Sequence, residues 1–507
     1  MAPPNVIVIM SDQMKAMASQ LYGNPFCETP SLARLSAEGV LFEHACTPHP
    51  LCVPARVSLW TGQYPHSHGS RRNETLMSAD AVHAFRVWKA EGFHLGLIGK
   101  NHCFAEAEDL TLFDTWCELG HGGRPAEART RGMEWVRPVA AIDAAHATRR
   151  QMPAVSPRFS YAVSDWPEED YGSAVIAAQT VRFLEEHRRD PFALWVSFPD
   201  PHEPYETPRR YWEMMADRVE LPPWRADEFD HAPERNRVIH AMMGIEKDPR
   251  EHVEGMMAAY YGNVRFLDDA VGRILDALDD LEMRENTIVV FCADHGDFSG
   301  EHGMQCKGGV FYDALTRIPL IVSWPGQVAQ GAVDTSMANL VDVVPTLFRL
   351  QGLPIPRSMH GQPLPTVSDG APREATFSEY GAGGPPFTMD DLRALPQPWG
   401  RRALMRSLRW REAEGRRKMV RTRQWKYVHD AMGDIDELYD LQADPWEQHN
   451  RIDDPACRDV LASRAPWSAA DQAPQPAAWR CPRLLPRRPA AWRGRPHRAR
   501  AARPRPR

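Results

Sequence analysis

The sequence predicts an α/β protein: a large, mostly parallel sheet with helices on both faces, then a smaller C-terminal α+β subdomain with an antiparallel sheet. Amphipathic stretches at 176–187 and 256–281 alternate with apolar, β-rich runs at 5–10, 94–98, 192–198, 287–293 and 318–323. Buried strands separated by helices are typical of a parallel sheet covered on both faces. From about residue 374 the strand candidates become short and separated, at 375–380, 418–422 and 426–429. This second pattern favours an antiparallel sheet.

Length and composition divide the chain into three parts. Its 507 residues suffice for one large domain and one smaller domain. We expect the large α/β domain at 1–373 and the antiparallel-sheet subdomain, with a basic insertion at 401–417, at 374–464. Residues 465–507 are dominated by Ala, Pro and Arg. Because such a composition buries no core, we expect this tail to be disordered.

Charge and hydropathy exclude several classes of protein. The net charge of -7 predicts no general attraction to nucleic acid or to anionic membranes. No run approaches the roughly 20 apolar residues of a membrane span. The apolar piece at 6–10 lacks the length and the basic flank of a signal peptide, so we expect a cytoplasmic protein. The nine cysteines include no C-x-x-C pair and resemble neither a disulfide framework nor a zinc site.

Side chains suited to metal binding or acid–base chemistry follow four of the predicted strands. They are Asp12 and Gln13 after the first, Lys100 and His102 after the second, His202 after the third, and Asp294 and His295 after the fourth. In open α/β sheets, ligands bind beyond the carboxyl ends of the strands. The four sets therefore predict one convergent site.

The segment that begins at Cys52 carries the most specific motif in the chain. Cys52, Pro54 and Arg56 form C-x-P-x-R, and Thr61-Gly62 closes the stretch. The segment resembles the sulfatase signature, in which an enzyme oxidises the cysteine to formylglycine. A cysteine phosphatase loop is a rival, but it has five residues between Cys and Arg, whereas here there are three. A buried structural cysteine is the remaining alternative.

The resemblance implies an alkaline-phosphatase-like fold and a formylglycine nucleophile made from Cys52, with a formylglycine-generating enzyme as a transient partner. The hydrated aldehyde carries two hydroxyls on one carbon. One hydroxyl attacks the sulfur and leaves an ester on the enzyme. The other then loses its proton, and C–O cleavage regenerates the aldehyde and expels sulfate.

The resemblance also implies one divalent cation, held by Asp12, Gln13, Asp294, His295 and the modified Cys52. Carboxylate and amide oxygens suit Ca²⁺, and the imidazole of His295 makes Mn²⁺ the alternative. The family commonly shows Asp-Asp where this chain has Asp12-Gln13, and Asp-Asn where it has Asp294-His295. These departures resemble the branch that includes choline sulfatases and phosphonate monoester hydrolases.

Three further residues are implied to act at the modified cysteine. Arg56 orients it by charge and hydrogen bonds. Lys100 and His102, in Gly99-Lys100-Asn101-His102, resemble the family's G-K-x-H. The lysine is implied to neutralise the substrate oxyanion, and the histidine to take the proton from the second hydroxyl.

Two other motifs imply which residues face the leaving group. His202 lies in Pro201-His202-Glu203-Pro204-Tyr205, which resembles P-H-x-P-[FY]. Lys307 resembles the lysine that contacts both the substrate anion and the leaving oxygen. The sequence leaves open which of the two is the general acid. Asn73 resembles an asparagine that donates to a substrate oxygen in phosphonate monoester hydrolases, and a solvated loop residue is the alternative.

Three functions compete for this chain. The first is hydrolysis of a small sulfate monoester, the alcohol being choline, a phenol or a sugar. The second is hydrolysis of phosphonate monoesters or phosphodiesters at the same site. The third is a binding protein without turnover, which is disfavoured because Cys52 and the ligand set are all present. The resemblance runs from about residue 5 to about 450, where Trp425-Lys426-Tyr427-Val428 resembles the C-terminal block of sulfatases, and it makes a homo-oligomer a further expectation.

Overall fold

The structure is a computed structural model that describes residues 3–105, 111–119, 130–131, 147, 161–225, 227–246, 248–396 and 415–462. The first thirteen strands in chain order are β1 (Asn5–Asp12), β2 (Gly39–Cys46), β3 (His94–Gly99), β4 (Thr115–Glu118), β5 (Thr130–Arg131), β6 (Tyr161–Ser164), β7 (Phe192–Pro201), β8 (Tyr205–Pro208), β9 (Thr287–Ala293), β10 (Phe298–Ser299), β11 (Gln305–Cys306), β12 (Leu320–Ser323) and β13 (Ala332–Asn339).

Nine of these strands form the central sheet, in the order β13-β2-β12-β9-β1-β7-β3-β4-β5. The pairs β13–β2, β9–β1, β1–β7, β7–β3 and β3–β4 are parallel. Strand β12 runs antiparallel to both of its neighbours, and β5 runs antiparallel to β4. The mostly parallel sheet predicted from the sequence is therefore confirmed, with one reversed strand inside it and another at its edge.

The helices are α1 (Pro30–Ala37), α2 (Cys52–Thr61), α3 (Pro65–His68), α4 (Ala84–Ala90), α5 (Gly172–Glu186), α6 (Arg209–Ala216), α7 (Glu234–Met243), α8 (Arg250–Asp280), α9 (Asp313–Thr316), α10 (Val343–Gln351) and α11 (Met389–Arg393). Neighbouring residues of β7 point to opposite faces of the sheet. Trp195 packs on Trp60 of α2, with ring centroids 5.1 Å apart. Leu194 lies beside Gly96 together with Phe183 of α5. Helices therefore cover both faces, as predicted.

The C-terminal sheet has four strands: β14 (Thr376–Tyr380), β15 (Arg417–Arg421), β16 (Trp425–Asp430) and β17 (Glu437–Asp440). Neighbouring strands are antiparallel throughout, which confirms the second sheet predicted from the sequence. The proposed division after residue 373 falls between β13 and β14. Residues 401–414 of the expected basic insertion and the tail at 465–507 lie outside the described residues.

Buried ion pairs join the C-terminal sheet to the large domain. Lys426 of β16 is fully buried and donates to the Phe311 carbonyl at 2.8 Å and to Asp313 Oδ1 at 2.6 Å. The same ammonium group pairs with Glu447. Arg421 of β15 donates to Asp313 Oδ2 at 2.7 Å. Because Asp313 begins α9, these contacts fix the second sheet against the first.

Two further properties bear on the expectations from composition. The eight cysteines within the described residues are all buried, and no disulfide joins any two of them. In the described parts of the chain, no helix is both long and apolar enough to span a bilayer.

A partly buried carboxylate, that of Glu379 of β14, gives the protein a pH-dependent contact. Its Oε2 lies 3.0 Å from His66 Nδ1, and it also accepts from the backbone N–H of His66. Burial raises the pKa of Glu379, but the hydrogen bonds and charge of His66, together with Arg71, lower it to about 2. The folded pKa thus lies below the ordinary value of 4.5.

We expect Glu379→Gln to lower the free energy of unfolding at neutral pH by about 3 kcal/mol. A carboxylate whose folded pKa is depressed stabilises the fold above its unfolded pKa. The difference in the free energy of unfolding between the two proteins should therefore be largest above about pH 5 and vanish as the pH falls toward about 2. Urea unfolding across this range measures it. The exposed Glu91→Gln serves as the control, and a pH-independent difference for Glu379→Gln would contradict the expectation.

Candidate active site

The first residue of α2 is Cys52, and every residue of this helix is buried. The Val53 N–H, near the start of the helix, donates to Asn73 Oδ1 at 3.0 Å. The helix ends at Gly62, whose φ of 62° is left-handed and favours glycine. A Cβ there would lie 2.9 Å from Met359. The Thr-Gly of the signature and Asn73 thus hold the two ends of the helix that positions Cys52.

The side chain of Arg56 lies beneath Cys52 and is fully buried. Its Nε donates to Asp294 Oδ2 at 2.9 Å, and its Nη2 lies 3.4 Å from Asp12 Oδ2. Its Nη1 donates to the Lys100 carbonyl at 3.0 Å and to Ser197 Oγ at 2.9 Å. Arg56 therefore contacts residues that lie within or directly after four different strands. Its geometry suits a role in holding the two carboxylates at the site.

The predicted strand-end residues do converge. Strands β9, β1, β7 and β3 are consecutive neighbours in the sheet and run parallel, so their carboxyl ends lie along one edge. Ligand atoms of Asp12, Cys52, Asp294 and His295 lie within 4.8 Å of one another, and all four residues are buried. This set suits a divalent cation.

Gln13 adds an oxygen to this set. Its φ of 68° is left-handed, and its backbone N–H donates to Asp294 Oδ1 at 3.0 Å. Its side-chain Nε2 donates to Glu203 Oε2 at 3.0 Å. Its Oε1 is buried and has no hydrogen-bond partner among the described residues. An acceptor in that state is costly unless a ligand satisfies it, so the residues present fit a bound cation.

Cys52 Sγ lies at the centre of the site, where the oxygens of a hydrated aldehyde would stand after oxidation. Lys307 Nζ lies 3.0 Å from this sulfur, His295 Nε2 3.2 Å and Asp12 Oδ1 3.6 Å. His102 also hydrogen-bonds to it. Burial raises the pKa of the Cys52 thiol, but Lys100, Lys307 and His295 together hold it well below its ordinary value. The position therefore stabilises negative charge.

The remaining predicted residues lie around the sulfur. Lys100 Nζ forms an ion pair with Asp12 Oδ2. Burial and the Cys52 sulfur raise the pKa of Asp12, but Lys100, His202 and Arg56 outweigh them and hold it well below its usual range. His202 Nε2 lies 2.9 Å from Lys307 Nζ, so that these two residues form a hydrogen-bonded pair next to the sulfur.

Sequence reasoning did not assign two residues that the structure places in the site. Ser197, within β7, accepts from Arg56, and Glu203 contacts both Gln13 and His202. Asn73, which is expected from the sequence to donate to a substrate oxygen, accepts from the Val53 N–H of α2 through its Oδ1, which leaves its Nδ2 group as the donor. The only sequence signal for Glu203 is its position inside the P-H-x-P-[FY] element.

This chain is similar to known proteins in sequence and in fold. A family model described as Sulfatase matches residues 4–353. An arylsulfatase of Clostridium perfringens is 29% identical over 413 residues, which cover 76% of this chain and 82% of that protein. A choline-sulfatase of Rhizobium meliloti is 29% identical over 494 residues, which cover 93% of this chain and 88% of that protein. The structure of a phosphonate monoester hydrolase of Agrobacterium radiobacter has a TM-score of 0.71 at 23% identity, covering 92% of this chain and 95% of that one.

Proposed function

Because this chain belongs to the sulfatase family and is a sulfuric ester hydrolase, we propose that it hydrolyses small sulfate monoesters with a formylglycine nucleophile made from Cys52. The observation that carries this proposal is the position of Cys52 Sγ, 3.0 Å from Lys307 Nζ and 3.2 Å from His295 Nε2, at the start of a buried helix. The C-x-P-x-R segment is the substrate that a formylglycine-generating enzyme would require. The family typically uses both a metal ion and formylglycine.

Asp12, Gln13, Asp294 and His295 are the residues that would hold the metal ion. When bound, a divalent cation lowers the pKa of a hydroxyl on the hydrated aldehyde and draws the sulfate oxygens toward the site. The carboxylate and amide oxygens suit Ca²⁺, whereas the His295 nitrogen suits Mn²⁺. Arg56 would keep Asp12 and Asp294 in place, since it contacts both carboxylates.

The chain supplies cations to bind the anionic ester. Lys100 and Lys307 both lie within the buried centre of the site, where their charges act in a water-poor environment. Lys307 contacts both Cys52 and His202, so it would hold a sulfate oxygen and the bridging oxygen at the same time. His102 hydrogen-bonds to the position-52 side chain and would accept the proton of the second hydroxyl during release.

Of the two candidates for the general acid, we propose His202. Burial lowers the pKa of the Lys307 ammonium, but the negative charges of Cys52, Asp12 and Glu203 outweigh burial and hold this pKa well above its ordinary value, which makes Lys307 a poor proton donor near neutral pH. Lys307 would remain a cation throughout. The 2.9 Å contact between the two side chains would keep His202 directed toward the leaving oxygen.

Hydrolysis of phosphonate monoesters or phosphodiesters is the second candidate. Gln13 and His295 favour it, because these departures from the Asp and Asn that are common in the family resemble the branch that includes phosphonate monoester hydrolases. The fold shared with a phosphonate monoester hydrolase is compatible with either reaction. An intact Gly99-Lys100-Asn101-His102 segment favours the sulfate ester.

We expect kcat/KM for an aryl sulfate to exceed that for phenyl phosphonate on protein whose position 52 is oxidised. The peptide that contains this position should be lighter than its cysteine form by about 18 Da, because –CH₂–SH becomes –CHO. Mass, metal content and both rates are measured on one preparation, with choline sulfate and a sulfated sugar added to the panel. A large phosphonate preference would reverse the order of the two candidates. Full activity with only unmodified cysteine would refute the formylglycine nucleophile.

A further inference from the structure

One carboxylate, that of Glu203, lies between the proposed metal ligands and the proposed leaving-group residues. Its Oε2 accepts from Gln13 Nε2 at 3.0 Å and lies 3.2 Å from His202 Nδ1. Its Oε1 accepts from Cys306 Sγ at 3.4 Å. The residue is buried. A buried carboxylate is tolerated only where such partners offset its desolvation.

The contact with Gln13 sets the orientation of an amide. The oxygen and the nitrogen of a glutamine amide are nearly equal in size, and an ionised carboxylate can only accept hydrogen bonds. Glu203, together with Asp297, which also hydrogen-bonds to the Gln13 side chain, therefore holds Nε2 and leaves Oε1 as the atom available to a cation. The buried Oε1, which has no hydrogen-bond partner in the described part of the chain, is consistent with this arrangement.

The same contact explains why position 13 is an amide. A carboxylate at this position would face Glu203 at about the distance of the present hydrogen bond, and two like charges this close repel strongly. With Glu203 in place, glutamine keeps an oxygen ligand without adding a charge.

Two oxygens of Glu203 face His202 Nδ1: the backbone carbonyl oxygen lies 2.5 Å from this nitrogen, and the carboxylate Oε2 lies 3.2 Å from it. Both oxygens favour a proton on Nδ1, and the carboxylate adds a negative charge beside the ring. The other nitrogen, Nε2, lies 2.9 Å from Lys307 Nζ, which in turn lies 3.0 Å from Cys52 Sγ. Glu203 is thus linked to the reacting position through two successive side chains.

We propose that Glu203 is a positioning residue that serves both halves of the site: it directs the Gln13 oxygen to the cation and the His202 Nε2 to the leaving group. The inference rests on the proposed function, since it assigns a role within that site. It predicts that one substitution weakens metal binding and, separately, impairs substrates that need protonation of the leaving group.

The experiment uses Glu203→Met, which removes the acceptor at similar volume, and Glu203→Gln, which keeps one acceptor oxygen and guards against misfolding. Glu437→Met is the matched control. Glu437 is a buried carboxylate that accepts from the Asn236 amide at 3.1 Å and from the Tyr439 hydroxyl at 2.8 Å, outside the site. Metal-free protein is titrated with Mn²⁺ alone. We expect the affinity to fall about 10- to 100-fold in Glu203→Met, by less in Glu203→Gln, and not at all in the control.

The Gln13→Ala background shows whether Glu203 acts on metal binding through the Gln13 amide. In that background the amide is gone, so Glu203→Met should cause no further loss of Mn²⁺ affinity. The second readout is kcat/KM across aryl sulfates with phenols of different pKa. We expect kcat/KM of Glu203→Met to fall about 100-fold or more for substrates with poor leaving groups and about 10-fold for substrates with good ones. A purely structural role would lower kcat/KM for every substrate by the same factor.

Each result decides the proposal. Weaker Mn²⁺ binding together with a steeper leaving-group dependence supports it. Change in only one of the two readouts, or in neither, overturns the shared role. If the unmutated protein hydrolyses no sulfate ester, the proposed function fails, while the Mn²⁺ titration still reports on Glu203 and Gln13.

Discussion

Replacing Cys52 by alanine is expected to lower kcat for sulfate ester hydrolysis by about 10⁶-fold, the usual loss when a nucleophile is removed. The reason is geometric: Lys307, His295, Asp12 and His102 all contact the side chain at this position. Without it, the site still binds an anion, but nothing attacks the sulfur. Serine at position 52 supplies one hydroxyl where a hydrated aldehyde supplies two, so it is expected not to restore turnover.

The measurement is kcat with an aryl sulfate at saturating concentration, on preparations matched for metal content. Cys117→Ala is a suitable control because Cys117 of β4 is also a free, buried cysteine, and it lies outside the site. This control should lose about 1–2 kcal/mol of stability and keep its turnover. Turnover by Cys52→Ala within tenfold of the unmutated protein would be incompatible with a nucleophile at this position.

Replacing Lys426 by methionine is expected to lower the free energy of unfolding by about 3–5 kcal/mol, as is typical when one partner of a buried ion pair is removed. Lys426 contacts Asp313 and Glu447, and none of these groups reaches solvent to a significant extent. Without the ammonium, Asp313 retains Arg421, but Glu447 loses its cation. Two carboxylates would then share one cation in a buried interface.

Denaturant unfolding of the whole chain measures this loss. Lys89→Met is the matched control, since Lys89 also pairs with an aspartate, Asp114, at 2.6 Å but is 39% exposed. A surface pair of this kind is worth about 0–1 kcal/mol. A loss below about 1 kcal/mol for Lys426→Met would mean that the interface relaxes around the missing charge.

The convergence of the site was predictable, because it follows from the edge of the sheet at which parallel strands end. Asp12, Lys100, His202 and Asp294 each follow a buried apolar strand, and parallel strands end at one edge of a sheet. A nucleophile at Cys52 could also be predicted, because C-x-P-x-R requires particular residue types at set offsets. Both inferences depend on local sequence.

The parts that were missed depend on contacts distant in sequence or on weak patterning. Strand β2 includes Glu43 and His44, and β13 mixes exposed, partly buried and buried residues, so neither presents a continuous apolar run. Glu203 meets Gln13 across 190 positions of sequence. No period or motif predicts such a meeting, because it depends on how two loops face each other. The roles of the site residues remain proposals that the experiments above address.

The contacts of Asp313 have a consequence for how the protein is synthesised. Its partners Arg421 and Lys426 lie 108 and 113 residues further along the chain. At a ribosomal rate of about 5–20 residues per second, they emerge on the order of 5–20 s after it. The large domain therefore spends this interval with an unpaired carboxylate and incomplete packing. In the finished fold the exposed fraction of Cys52 is 1%, so an enzyme that modifies this residue would have to act before folding is complete. Late completion of the C-terminal sheet would thus give a modifying enzyme its opportunity to reach the nascent chain.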